Sequence, residues 1–172
     1  LISYVPQDNF LFSDTIKDNI AFSDNSSDIS SVIDAAKFAN VDNDISNFEN
    51  GYDTVLGERG VTLSGGQKQR ISIARAYFTN SPILIMDDSV SAVDVSTEKI
   101  ILNNIKNYCQ DKTLIVIASR VSTLLEFDRI IVLNDGEVEC FDSPDNLIKN
   151  SKAFKKMYDS QKLLDELSGG KK

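Results

Sequence analysis

The stretch "LSGGQKQRISIARA" (residues 63–76) sets a serine and two glycines directly before a segment whose apolar residues, Ile71, Ile73, Ala74 and Tyr77, recur at helical spacing. Ser64 is placed to cap that segment, and the pattern predicts a helix over 64–80. At a helix start the first backbone N–H groups have no partner within the helix, and the aligned peptide dipoles favour negative charge there. Gly65 and Gly66 carry no side chain to block an approaching anion, so the turn is a ready cradle for a phosphate, and the Ser64 hydroxyl can add a donor. An isolated Ser-Gly-Gly is more often a plain capped turn. Here Gln67, Gln69 and Arg70 follow it, and downstream comes "ILIMDD" (83–88), an apolar run that ends in two adjacent carboxylates.

Working outward, four apolar runs recur: 1–5, 83–86, 113–118 and 129–133. Each is continuous rather than alternating, which predicts strands of a parallel sheet covered on both faces. Helical patterns separate them at 28–40, 64–80, 94–108 and 151–167, so the fold class is α/β. After 129–133, Asn134-Asp135-Gly136 predicts a hairpin into an antiparallel edge strand, and Ser143 with Pro144 predicts a capped helix start. The region 10–59 shows helical patterns and polar loops without a buried strand, and reads as a helical insertion whose core is built on Phe10, Phe12, Phe22, Phe38 and Phe48. The tail "SGGKK" reads as flexible.

A chain of 172 residues with 41% apolar content can bury a core of its own. Its net charge of −8 and its lack of a basic cluster exclude a nucleic-acid partner held through phosphates. Cys109 and Cys140 lack metal-ligand spacing and histidine is absent, which excludes a zinc site and predicts reduced thiols. No apolar run is long enough to cross a bilayer. The start "LISYVPQ" carries neither an initiating Met nor a leader pattern, so the chain is expected to be cut from within a longer one.

On these residues the sequence resembles the nucleotide-binding domain of ABC transporters over nearly its whole length. "LSGGQ" matches the signature motif of that family, "YVPQD" with Gln7 its Q-loop, "ILIMDD" its Walker B strand, and "SAVD", Ser91 to Asp94, its D-loop. "TVLGERG" (54–60) is similar to the loop that precedes the signature in exporter-type members. The resemblance implies a P-loop NTPase-type parallel sheet flanked by helices, with an inserted helical subdomain carrying the signature. It places the helical subdomain at 10–80, the α/β core at 1–9 and 81–150, and a C-terminal helix and tail at 151–172. It implies ATP and Mg²⁺ as cofactors, with Ser64, Gly65, Gly66 and Gln67 binding ATP, Asp87 and Gln7 at the metal, and Asp88, Ser119 and Gln7 as the catalytic group. Ser91 and Asp94 fall at the interface between two nucleotide-binding domains, Asp94 also capping the next helix. Arg59 and Arg70 read as surface or coupling charges. The partners implied are a second nucleotide-binding domain and an upstream transmembrane domain, at the cytoplasmic face of a membrane.

Two departures bear on the chemistry. Members that hydrolyse ATP efficiently carry glutamate where this chain has Asp88, and one methylene fewer draws the carboxylate back by about 1–1.5 Å, enough to cost on the order of a hundredfold in rate. The family's switch histidine is replaced by Ser119, which is shorter and cannot become a cation. Both point to a degenerate half-site in a heterodimeric exporter, with a slow homodimer as the competing reading. Other classes remain open: a soluble ABC ATPase of the DNA-repair or translation type, and a non-catalytic regulatory ATP clamp. The sequence contains no GxxxxGK[ST] phosphate loop, which is expected upstream, so this stretch alone is expected to bind MgATP weakly and to be inactive.

Overall fold

A computed structural model describes residues 2–24, 28–57 and 62–169. The chain forms two compact units, Leu1–Ile117 and Ala118–Lys172. The residues expected to make one core, 1–9 and 81–150, are thus divided between the two.

In the first unit three strands, β1 (Ile2–Val5), β2 (Ile83–Asp87) and β3 (Thr113–Ile117), form a parallel sheet in the order β1-β2-β3. Val5 lies opposite Met86, and Asp87 opposite Ile117. Among the described residues, the helices that accompany the sheet are α1 (Ile16–Ile20), α2 (Ile29–Phe38), α3 (Asp42–Ser46), α4 (Gly65–Phe78) and α5 (Val95–Tyr108). The long helix α4 organises the unit, packing against α1, α2 and β1. Its Ile71, Ile73 and Ala74 are buried in one core with Val5, Leu84 and Met86 from the sheet and with Ile16, Ile20 and Val32 from the shorter helices.

The insertion 10–59 is helical as expected, apart from a 3-10 turn (Gly51–Asp53) and an isolated antiparallel bridge between Thr15 and Val55. Backbone bonds from the Ile16 N–H to the Thr54 carbonyl and from the Leu56 N–H to the Asp14 carbonyl make that bridge. Gly57 follows with φ +115°, where a Cβ would fall on the Ser13 side chain, so this turn needs glycine. The remainder of the predicted exporter-type loop, including Arg59, lies outside the described residues.

Two sequence expectations are corrected here. The strands are covered on one face only: Ile2 and Tyr4 in β1 and Ile115 and Ile117 in β3 are about half exposed, while their neighbours Val5 and Leu84 are buried. A continuous apolar run implies apolar surroundings on both faces, but the described helices pack on one. The expected aromatic core of the insertion also divides. Phe38 and Phe48 pack against the core, whereas at the surface Phe10 meets Phe12 edge-on and Phe12 stacks on Phe22.

In the second unit, β4 (Ile130–Asn134) and β5 (Glu137–Asp142) pair antiparallel through a turn in which Asp135 and Gly136 both have positive φ, as a two-residue hairpin requires. The run 129–133, expected among the parallel strands, pairs antiparallel with β5 in a two-stranded sheet, as its Asn134-Asp135-Gly136 turn predicts. Helices α6 (Val121–Leu124), α7 (Pro144–Asn150) and α8 (Lys152–Gly169) complete the unit around Val121, Ile130, Val132, Leu147 and Phe154. Ser168 and Gly169, read as flexible tail, belong to α8, and the last three residues lie outside the described ones.

Candidate functional site

Helix α4 begins with a capping box. The Ser64 hydroxyl accepts the Gln67 N–H (3.2 Å) while the Gln67 side-chain oxygen accepts the Ser64 N–H (3.0 Å). Gly65 and Gly66 are the first helical residues, whose N–H groups helix geometry leaves without an intrahelical acceptor. A Cβ on Gly66 would stand 3.0 Å from the Ala92 carbonyl oxygen and 3.5 Å from the Val93 side chain, so glycine is what lets this turn approach the 92–93 backbone. Between them lies a cavity of about 430 Å³, with Ser64, Gly65, Gly66 and Arg70 on one side and Ala92, Val93, Asp94 and Thr97 on the other.

Asp94 caps α5 by accepting the N–H groups of Ser96 and Thr97, both at 3.0 Å, and the Ser96 hydroxyl. Those bonds, the Ser96 hydroxyl foremost and Thr97 next, hold its carboxyl well below the usual carboxylate range. It is an anion engaged in a cap, on the wall facing the open N–H groups of α4.

Three residues that sequence reasoning left aside or misjudged support this arrangement. Asp44 of α3 accepts hydrogen bonds from Gln67 Nε2 (3.0 Å) and from both terminal nitrogens of Arg70 (2.7 and 3.2 Å). Arg70 also donates to the carbonyls of Asn40 and Gly66. Its side chain is only 14% exposed, so the reading of Arg70 as a solvated surface charge is corrected: Asp44 and two carbonyls draw it inward. Burial alone would raise the Asp44 carboxyl, but the bonds from Arg70 and Gln67 and the Arg70 charge outweigh it and leave it below its ordinary value. Gln69, buried on α4, accepts the Ala92 N–H (3.0 Å) and reaches the Asp88 carbonyl, to which Ser91 Oγ also donates (2.8 Å). Gln69 had a sequence signal: it precedes Ser72, Ile73 and Ala76 at helical spacing on the buried stripe. Asp44 had none.

The strand ends form the second group. Gln7, exposed, follows β1 just beyond Val5, and Asp87 closes β2, so both stand at the carboxyl ends of neighbouring parallel strands. That is where open α/β sheets bind ligands. Tyr4 donates its hydroxyl to Asp87 Oδ2 (2.9 Å), which raises the Tyr4 pKa. Asp88 comes next with φ +44°, its N–H bonded to the carbonyl of Ile117. Ser119 is exposed in the second unit, ahead of α6.

The fold brings Ser64, Gly65, Gly66 and Asp94 around one cavity, with Gln67 behind them. It gathers Gln7, Asp87 and Asp88 at the strand ends, but none of these lines that cavity. The open N–H groups beside a cavity fit a phosphate. Among the described residues no group of three or more Asp, Glu, Cys or His side chains could hold a metal alone. Asp87 and Gln7 instead offer the few hard oxygens with which Mg²⁺ is held when phosphates supply the rest. No described helix is long and apolar enough to cross a membrane.

The family profile described as ABC transporter matches residues 1–91. The ABC transporter ATP-binding protein YfiB of Bacillus subtilis (strain 168) is 46% identical over 161 residues, covering 93% of this chain and 28% of that protein. ABC transporter B family member 1 of Dictyostelium discoideum is 44% identical over 151 residues, 88% of this chain and 17% of that protein. The structure of a bacterial Atm1-family ABC exporter with ATP bound superposes with a TM-score of 0.89 at 40% identity, over 93% of this chain and 28% of that one. The chain thus spans under a third of the length of the proteins it matches. With the family profile covering residues 1–91, an α/β fold matching an exporter's nucleotide-binding domain and a relative 46% identical over nearly all of its length, this chain belongs to the ABC transporter family.

Proposed function

We propose that this chain is part of the nucleotide-binding domain of a heterodimeric ABC exporter, coupling MgATP binding and hydrolysis at a domain interface to transport, and that it forms the degenerate half. The observation that carries the degenerate reading is Asp88 and Ser119 standing where the family has glutamate and histidine; that Gln7, Asp87 and Asp88 at the strand ends do not line the cavity of Ser64, Gly65 and Gly66 supports a shared interface. Two half-sites on one chain are what an interface shared by two such domains needs, each domain lending its α4 turn to the nucleotide held by the other.

When bound, Mg²⁺ supplies charge neutralisation at the nucleotide phosphates. Asp87 and Gln7 would hold it at the strand ends. Asp88 is the proton acceptor from the attacking water, set back by its short side chain. Ser119 donates a hydrogen bond to the terminal phosphate in place of a histidine. Ser64, Gly65 and Gly66 donate to the partner domain's nucleotide, with Ser91 and Asp94 at the contact between domains. The transmembrane partner docks on the surface aromatics Phe10, Phe12 and Phe22 and on the 54–57 loop, at the cytoplasmic face of the membrane. The stretch by itself, with no GxxxxGK[ST] loop in its sequence, turns over no ATP.

Steady-state ATP turnover of the full-length protein tests this, alone and with its candidate partner subunit, with and without Asp88→Glu plus Ser119→His. The expected result is near-inactivity alone, turnover with the partner, and only a modest change on the double substitution. Useful turnover by the protein alone, rising when Glu and His are introduced, would establish a slow homodimer instead.

A further inference from the structure

We infer that Asp44 is a positioning residue for the phosphate-facing turn: its carboxylate, set against Gln67 and Arg70, selects the Gln67 amide orientation that keeps Ser64, Gly65 and Gly66 in place. The inference rests on reading that turn as phosphate-facing.

The chemistry of the three groups leaves one arrangement. The Ser64 N–H can only donate and an ionised Asp44 carboxylate can only accept, and the Gln67 amide lies between them. With its oxygen toward Ser64 and its NH₂ toward Asp44 both contacts are attractive; with the amide turned over both are repulsive. The Ser64 N–H alone favours this orientation from one end of the amide, and the Asp44 carboxylate of α3 fixes it from the other. The same carboxylate holds two nitrogens of Arg70, whose Nε donates to Gly66 and which lines the cavity. Asp44 thus keeps a cavity-lining cation paired and an amide turned the right way, though the cavity lining does not include it.

The test uses the full-length protein with its partner. Amide hydrogen exchange is followed over 62–68 and over the later turns of α4, alongside the melting temperature and ATP turnover. Asp44→Asn, which lets the amide turn over, should speed exchange at 62–68 with the later turns of α4 unchanged, and lower kcat by about tenfold, as slight misplacement does. Asp44→Glu, still an acceptor only, should recover most of both. Adding Asp44→Asn to Gln67→Ala should do less harm than Asp44→Asn does alone, since the part of the effect that runs through Gln67 is already lost and only the Arg70 pairing remains to lose.

Unchanged exchange and turnover in Asp44→Asn, with turnover lowered in Gln67→Ala, would overturn the inference while leaving the turn's role intact. Full turnover in both Ser64→Ala and Gln67→Ala would instead remove the phosphate-facing reading, and exchange at 62–68 would still decide whether Asp44 controls the turn. Loss of protection along all of α4 together with a fall in melting temperature would reduce Asp44 to a brace between helices and overturn it. Should Asp44→Asn not fold, Gln67→Met carries the test: it removes the amide and leaves the Asp44–Arg70 pair, and unchanged exchange at 62–68 overturns the inference.

Discussion

Asp44 shows how little of a site's support is written near its motif. Ser64, Gly65, Gly66 and Gln67 are legible in one short string, since capping and glycine chemistry act within a turn. Asp44 lies well upstream, and only the packing of α3 beside the first turn of α4 joins them. Its carboxyl titrates below its unfolded value, so it contributes stability above that value and loses the contribution as pH falls through its folded one. In urea unfolding followed from neutral pH downward, the unsubstituted protein should lose stability more steeply below about pH 4 than Asp44→Asn does. Asp28, Asp94 and Asp142 are also held low and contribute equally to both curves, so the difference isolates Asp44. Parallel curves would show that the bonds to Gln67 and Arg70 carry no net stabilisation. At Asp88, the shorter carboxylate was legible in the sequence, but its left-handed backbone was not. That conformation suits aspartate better than most side chains.

Among the elements, α4 and α5 were legible because their caps, Ser64 and Asp94, stand directly before amphipathic runs long enough to show a period. The short helices α1 and α3 and the 3-10 turn were not, since elements of that length hold by packing and show no resolvable period. Arg75 ties α4 to the α1 region: its Nε donates to the Asn19 carbonyl (2.7 Å), one terminal nitrogen to Asn19 Oδ1 (2.8 Å) and the other to the Phe10 carbonyl (3.1 Å). Its guanidinium also lies over the Phe12 and Phe22 rings, within 6 Å of each centroid. Asn19, almost fully buried, bonds in turn to the carbonyls of Phe12 and Thr15. An ammonium cannot span these acceptors as a planar fork does, so Arg75→Lys should destabilise the first unit by about 2 kcal/mol in urea unfolding. A change under about 0.5 kcal/mol would mean that solvent satisfies these carbonyls equally well.

At the scale of the whole molecule, the sheet face bearing Ile2, Tyr4, Ile115 and Ile117 and the hairpin face bearing Ile131, Leu133, Val138 and Phe141 are exposed, each within its own unit. Contiguous apolar surface of this kind associates in water. Sedimentation velocity on the isolated chain should show mass rising with concentration, and Ile115→Lys with Ile117→Lys should reduce it. A monomer at every concentration would mean that the sheet face does not self-associate. The sequence alone determined the α/β class, the motif order and the family, because helix caps, glycine turns and apolar runs act over a few neighbouring residues. Tertiary structure alone decided that the strands are covered on one face, that Arg70 turns inward to Asp44, and that Gln7, Asp87 and Asp88 fall outside the cavity lined by Ser64, Gly65 and Gly66. Each of these depends on which distant elements pack together, and local pattern carries no record of that.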